Sequence, residues 1–129
     1  MSLADIRQPI FAVGTARDHV APWRSTYKIH RLTETEVTYL LTTGGHNAGI
    51  VSEPDHKTRS FQITTRAAEA RHIDPDTWLT TAPRKSGSWW PEWSAWLAAR
   101  SGAPVPPPEI PAASDGAFAE APGRYVLQP

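Results

Sequence analysis

An aspartate and a histidine that could act together in proton transfer each follow an apolar run in this chain. Asp18 comes shortly after the run at residues 10–13, and His46 comes shortly after the run at 37–42. Both stand where a strand would end and a loop would begin. A carboxylate beside an imidazole fixes the tautomer of the histidine, which then takes a proton from a serine or cysteine. The two residues therefore predict the acid and the base of a nucleophile–histidine–acid relay.

No nucleophile accompanies this pair in the sequence. The chain contains no cysteine, and it has no Gly-x-Ser-x-Gly or Gly-x-Cys-x-Gly turn. Ser88 is the nearest alternative, but it follows the histidine and is not flanked by glycine on both sides. In α/β-hydrolases the three members occur in the order nucleophile, acid, histidine, and Asp18 and His46 keep the last part of that order.

The first half of the chain predicts an α/β unit that positions the pair. The run at 10–13 predicts a strand buried on both faces, Pro22 suits the first turn of a helix over 23–32, and 37–42 predicts a second strand. Strand, helix and strand in this order imply a right-handed crossover and two parallel neighbours. Both site residues then lie at the carboxyl ends of parallel strands, where open α/β sheets place their sites.

The second half predicts a further strand and two helices. Residues 61–66 alternate as a half-exposed strand would, and Asp74 followed by Pro75 predicts a helix that Pro83 ends. A Trp-rich helix begins at Ser88 and is closed by Gly102. Its apolar positions fall on one helical face, for which we expect a core role with Trp90 outside the stripe. That face consists of Trp89, Trp93, Trp96 and Leu97.

Composition limits the classes of partner. The chain has 129 residues, which suits one compact domain but not a complete α/β-hydrolase. Its 13 basic and 13 acidic residues balance, so charge predicts neither a nucleic-acid partner nor an anionic lipid surface. The absence of cysteine excludes disulfides and thiolate metal sites. No apolar stretch is long enough for a membrane span, and no signal peptide is recognisable, so we expect a cytoplasmic protein.

The organisation predicted from these patterns is one domain and a tail. Residues 1–102 carry the helix and strand patterns, whereas 103–129 form a proline-rich linker and tail for which disorder is one expectation.

Each candidate residue also has a simpler interpretation. Asp18 could be a turn or capping aspartate ahead of Pro22, and His46 could be a loop histidine between glycines that serve the turn. His19 could form a hydrogen bond that supports the site, or it could simply pack against neighbouring side chains. The basic residues Arg59, Arg66, Arg71, Arg84 and Lys85 are scattered among acids, which favours a solvated surface.

A zinc site is a weaker alternative for the histidines. Its candidate ligands would be Asp18, His19, His30, His46 and His56. No pair of them has the helical spacing of a His-Glu-x-x-His motif, so we predict no metal and no cofactor.

Three motifs in order resemble the C-terminal part of poly(3-hydroxyalkanoate) synthases. They are Gly14-Thr-Ala-Arg-Asp18-His19-Val-Ala-Pro-Trp23, then Val37-Thr-Tyr-Leu-Leu-Thr-Thr-Gly-Gly-His46-Asn-Ala-Gly-Ile-Val51, then Gly87-Ser-Trp-Trp-Pro-Glu-Trp-Ser-Ala-Trp-Leu97. The resemblance spans about residues 9–98 and implies the C-terminal portion of an α/β-hydrolase fold.

The resemblance also implies an acyltransferase activity. Such enzymes polymerise (R)-3-hydroxyacyl-CoA with release of coenzyme A, and a cysteine on the nucleophile elbow carries the acyl or growing polyester chain. His46 matches the general base and Asp18 its supporting acid, while His19 matches a position of uncertain role. The implied partners are the acyl-CoA, the polyester chain, and either a further copy or an upstream synthase segment. The implied location is the cytoplasm or the surface of a polyester granule.

The nucleophile elbow of that family is absent here, which leaves several hypotheses. The chain could be a fragment of a longer synthase or a truncated reading frame, and alone it should not polymerise anything. It could instead be a non-catalytic module that binds a synthase or a granule. A third hypothesis is that the chain is a fragment of a serine esterase of the same superfamily.

Overall fold

The computed structural model describes residues 2–108, 123 and 125–128, and its centre is a mixed four-stranded sheet. The strands lie in the order β1-β2-β3-β4. They are β1 (Ile10–Thr15), β2 (Val37–Thr42), β3 (Ser60–Arg66) and β4 (Arg84–Ser86). The chain therefore has an α/β fold.

In the described residues, five short α-helices and two 3-10 turns (Leu3–Asp5 and Tyr125–Leu127) accompany the sheet. The α-helices are α1 (Trp23–Thr26), α2 (Ile29–Leu32), α3 (His46–Ile50), α4 (Pro75–Thr81) and α5 (Trp90–Ala98). No helix in the described ranges is long and apolar enough to cross a membrane. Residues 103–108 form neither helix nor strand, and much of the predicted tail, 109–122 with 124 and 129, lies outside the described residues.

The predicted parallel pair is confirmed, but the rest of the sheet is not parallel. β1 and β2 run parallel with Thr15 opposite Thr42. β3 pairs antiparallel with β2, and β4 pairs antiparallel with β3. The expectation of a sheet built from parallel strands with crossover helices is wrong for this half. Helix α3 stays at the end of β2 instead of crossing the sheet, so β3 returns in the opposite direction.

β1 is an edge strand, which corrects the prediction that it is buried on both faces. Among the described residues it pairs only with β2, and four of its six residues are half-buried. It also continues through Gly14, where the sequence pattern predicted its end. The hydroxyl of Tyr39 occupies the space that a Cβ at Gly14 would need. The glycine thus marks a close approach inside the strand and not a turn.

β2 is the centre of the fold because both of its faces are covered. All six of its residues are buried. Its alternating side chains enter two separate cores. One core contains Trp23, Tyr27, Tyr39, Leu41, Trp78 and Ala82. The other contains Leu40, Phe61 and Trp89.

The helical predictions are confirmed where the local signals are strong. Asp74 accepts hydrogen bonds from the amides of Asp76 and Thr77, and α4 begins at Pro75 as expected. The helix predicted over 23–32 is instead split into α1 and α2. Between the two helices, donor and acceptor are three residues apart in sequence, as in a 3-10 helix. An example is the bond from the Lys28 amide to the Ser25 carbonyl at 3.3 Å.

The prediction of a core face on α5 is only partly right. Trp89 is buried, and its ring stacks on that of Phe11 in β1 with the ring centroids 6.4 Å apart. Trp93 and Leu97, however, are 42% and 40% exposed, and no residue within α5 itself is buried. Trp90, expected outside the stripe, is half-buried against the second core.

We expect the isolated chain to self-associate through the open edge of β1, because unpaired strand edges form intermolecular ladders. The Ile10 amide donates to the Glu36 carbonyl and the Ala16 amide donates to Thr42, so by alternation the Val13 amide points outward. Val13→Pro should therefore reduce concentration-dependent association, measured by sedimentation velocity, while the circular dichroism spectrum is retained. Ala12→Pro is the matched control, since it removes an inward bond and should unfold the sheet. A wild-type chain that stays monomeric at all concentrations would contradict this expectation.

Candidate active site

The structure brings Asp18 and His46 into direct contact at the carboxyl ends of β1 and β2. Pairing continues past the strands, because the amides of Ala16 and Arg17 each donate at 2.9 Å to the carbonyls of Thr42 and Gly44. The two loops therefore leave the sheet side by side. His46 Nδ1 lies 2.9 Å from Asp18 Oδ2.

Asp18 is held by the turn that it caps. Its Oδ1 accepts from the amides of Val20 at 2.8 Å and Ala21 at 2.9 Å, and its Oδ2 accepts from the Thr15 hydroxyl at 3.3 Å. The carboxylate side chain is only 8% exposed. The amide of Ala21, and then the imidazole of His46, hold the pKa of Asp18 well below its usual range. The capping interpretation and the pairing with His46 therefore hold at the same time.

The charge of Asp18 determines the tautomer of His46. An ionised carboxylate only accepts hydrogen bonds, so the proton of the neutral ring must lie on Nδ1. Nε2 then keeps its lone pair. It has no hydrogen-bond partner among the described residues, and the side chain is 50% exposed. The ring is thus arranged as a base that is open to an incoming proton donor.

His46 is the first residue of α3, and the glycines around it make that placement possible. Gly44 has a φ of +119°, a conformation that favours glycine, and Gly45 precedes the helix. Gly49 is buried on the other side of the turn. A Cβ at Gly49 would lie 2.5 Å from the Thr15 Cγ2 and 2.9 Å from the Thr15 Cβ. The same threonine contacts Asp18, so Gly49 lets the two halves of the pair approach.

Thr15, Gly49 and Arg59 also support the pair, a role not predicted for them from the sequence. Arg59 Nη2 donates to the Ala48 carbonyl at 2.6 Å, and Nη1 donates to the Thr43 carbonyl at 3.4 Å. The prediction that Arg59 lies on a solvated surface is therefore wrong. The Thr-x-x-Asp spacing from 15 to 18 could have indicated the first of these contacts, but the partners of Arg59 depend on the fold.

The other histidines do not join the pair. His19 is exposed and makes no hydrogen bond with either residue. His30 is buried, its Nδ1 accepts from Arg66 Nε at 3.3 Å, and burial together with that guanidinium lowers its pKa to about 4. Arg66, like Arg59, is thus bound within the fold. His56 lies near Thr58.

The histidines of the zinc alternative therefore do not converge on one site: His46 contacts Asp18, His30 contacts Arg66, and His56 contacts Thr58. Within the part of the chain that the structure covers, no group of three histidine, aspartate or glutamate side chains could hold a metal ion.

The chain resembles curated proteins along nearly all of its length. It is 35% identical over 128 residues to poly(3-hydroxyalkanoate) polymerase subunit PhaC of Rhizobium etli, which covers 99% of the chain. It is 35% identical over 127 residues to the subunit of the same name from Cupriavidus necator, and 31% identical over 128 residues to poly(3-hydroxyalkanoate) polymerase 2 of Ectopseudomonas oleovorans. The chain is homologous to part of the poly(3-hydroxyalkanoate) polymerases.

These polymerases are much longer than the chain. It spans 20% of the Rhizobium etli polymerase, 21% of the Cupriavidus necator polymerase and 22% of the Ectopseudomonas oleovorans polymerase. No protein-family model matches the chain. The relatives support the resemblance noted from the three motifs.

Gly49→Ala should destabilise the fold, since its Cβ would overlap Thr15. Overpacking of this kind costs about 1–3 kcal/mol in the free energy of unfolding, which urea denaturation measures. Gly102→Ala is the control, because a Cβ there has no neighbour within 4 Å. Equal stability of the two variants would show that α3 does not pack as closely on β1 as described.

The stabilising effect of the Asp18 carboxylate should be lost in acid. Its pKa is lower in the folded chain than its ordinary value of 3.8, so the ionised form favours folding at neutral pH. That contribution is complete above about pH 5, well above the unfolded pKa, and declines as the pH falls. The free energy of unfolding of the wild type should therefore exceed that of Asp18→Asn at pH 7, and the difference should shrink below pH 4. A difference that does not change with pH would refute the ionised assignment.

Proposed function

We propose that the chain is the C-terminal catalytic segment of a polyhydroxyalkanoate synthase, in which His46 and Asp18 form two members of a Cys-His-Asp triad. The observation that carries this proposal is the hydrogen bond from His46 Nδ1 to Asp18 Oδ2 at 2.9 Å. The homology to polymerases supplies the reaction class. The chain has no cysteine, so the thiol would come from another segment of the synthase.

The arrangement of the pair supports a proton-transfer role in acyl transfer. The cysteine thiol would give its proton to His46 Nε2, and the thiolate would attack the thioester carbonyl of an (R)-3-hydroxyacyl-CoA. Coenzyme A leaves with the proton from the imidazolium, and the acyl group stays on sulfur. The hydroxyl of the next unit then loses its proton to Nε2 and attacks the enzyme thioester. The ester of the polymer forms as the C–S bond breaks, and the released cysteine thiolate takes the proton back from the imidazolium. Asp18 would keep Nδ1 protonated and stabilise the imidazolium.

Topology supports an α/β-hydrolase fold for the complete enzyme. The acid precedes the histidine in the chain, both follow parallel strands, and both stand at the carboxyl edge of the sheet. The free edge of β1 is the side on which the sheet could continue with further strands. In this proposal residues 1–102 belong to that domain, and the remaining strands, the oxyanion donors and the elbow lie elsewhere in the synthase.

The alternatives are less well supported. The six matching relatives are all named polymerases, which gives no support to a serine esterase. A non-catalytic module would not need an acid and a histidine aligned with one free nitrogen. Association with a polyester granule and with further copies of the synthase are compatible with the proposal and belong to it.

The mechanism can be tested by joining the chain to the remainder of the Cupriavidus necator polymerase, in place of the segment that it matches. We expect release of coenzyme A from 3-hydroxybutyryl-CoA by the chimera and none by the isolated chain. His46→Ala and Asp18→Asn should each reduce kcat on the order of 10²–10⁴-fold, because they remove the base or its correct tautomer.

His56→Ala is the matched control for this experiment, since the His56 ring forms no hydrogen bond with Asp18 or His46 and its side-chain partner among the described residues is the Thr58 hydroxyl. It should leave turnover unchanged. His19→Ala in the same chimera tests whether that residue supports the site. Turnover close to the unsubstituted chimera in His46→Ala would refute the proposed function.

A further inference from the structure

Three side chains from outside α3 contact the end of the helix that carries His46. Arg59 donates to the Ala48 carbonyl at 2.6 Å, Trp89 Nε1 donates to the Gly49 carbonyl at 3.1 Å, and Trp90 Nε1 donates to the Ile50 carbonyl at 2.9 Å. Three consecutive carbonyls of α3 therefore each have a side-chain donor. We call Arg59, Trp89 and Trp90 the α3 clamp.

The α3 clamp compensates for the shortness of the helix. An isolated segment of five residues is far too short to be helical in water. The last carbonyls of any helix also have no amide partner within the helix. Here the bonds that remain inside α3 include those from the Gly49 amide to Gly45 and from the Val51 amide to Asn47. The last three carbonyls of α3 accept instead from the side chains of the α3 clamp.

The clamp is fixed by the packing of its own members. Trp89 is 6% exposed and belongs to the core that also contains Leu40 and Phe61. The hydroxyl of the preceding residue, Ser88, donates to the Ser52 carbonyl just beyond α3 and accepts from the Trp90 amide at 3.1 Å. The guanidinium of Arg59 lies where the helix dipole is negative, so its charge adds to its hydrogen bond. The core thus determines the position of α3.

We propose that Trp89, Trp90 and Arg59 are positioning residues for His46, which hold its Nδ1 against Asp18 by fixing the carboxyl end of α3. This inference rests on the proposed function for its catalytic consequence, but not for its structural one. It explains why the two indole groups are adjacent in sequence: they donate to adjacent carbonyls 40 residues away. A purely packing role would need the rings but not their N–H groups.

The replacement of tryptophan by phenylalanine separates these roles, because it keeps an aromatic ring and removes the N–H group. Trp89→Phe and Trp90→Phe are the test variants. Trp78→Phe is one matched control, since Trp78 is buried in the other core and donates to the Thr64 hydroxyl at 2.6 Å. Trp96→Phe is the other, since its Nε1 is buried with no partner among the described residues and it lies on the same helix as Trp90.

The structural consequence is measured on the chain itself by nuclear magnetic resonance. We expect the protection of the Gly49 and Val51 amides against hydrogen exchange to fall roughly tenfold in each test variant. With ¹⁵N-labelled histidine, the His46 ring should be protonated at Nδ1 in the wild type and should become a mixture of tautomers in the test variants. Both controls should keep the wild-type tautomer and the wild-type protection at these two amides.

The catalytic consequence is measured in the chimeric polymerase. Each test variant should lower kcat roughly 10- to 100-fold with little change in KM, because misplacement of a catalytic group affects the chemical step. An unchanged tautomer and unchanged kcat in both test variants would overturn the proposal, and so would an equal effect in the controls. If His46→Ala is itself active, the proposed function fails, whereas the tautomer measurement still decides whether the clamp positions His46. Should Trp89→Phe not fold, the half-buried Trp90→Phe decides alone.

Discussion

The parallel pairing of β1 with β2 is the constraint on which the candidate site depends. Its register sets Thr15 opposite Thr42, so the chain leaves both strands at the same level of the sheet. A shift of one residue would turn every side chain of a strand to the opposite face. Tyr39 and Leu40 of β2 enter different cores, and a shift would therefore disrupt both at once. The cores thus fix the register, and the register brings Asp18 and His46 together.

The acid and the base are held in physically different ways. Asp18 is fixed by a turn of its own neighbourhood, through two amides and one hydroxyl that all lie within three residues. His46 is fixed by groups far away in the sequence, since Arg59 and the indoles at the start of α5 hold the end of its helix. The position of the acid is locally encoded, whereas that of the base requires the folded sheet and both of its faces.

This difference explains what the sequence could predict. Local patterns indicated that Asp18 and His46 each follow a strand, that these two strands are parallel, and that Asp74 caps a helix. The structure contains all three features. Other features depend on how helices and strands pack against one another. They are the direction of β3, the edge position of β1 and the exposure of Trp93. Helical offsets indicated an apolar face on α5 but could not show that Trp90 turns its N–H group toward Ile50. Residue spacing predicts the faces of a single helix or strand, whereas the contact of Trp90 with Ile50 joins two helices.

A base arranged in this way is ready before any nucleophile arrives. The lowered pKa of Asp18 keeps its charge, that charge keeps the proton of the ring on Nδ1, and Nε2 is left as the acceptor. In the proposed triad the fold would already have oriented the ring before the thiol approaches. Such preorganisation is a major source of electrostatic catalysis. The half-exposed side chain of His46 suits the proposed triad, in which the proton donor would come from another segment of the synthase.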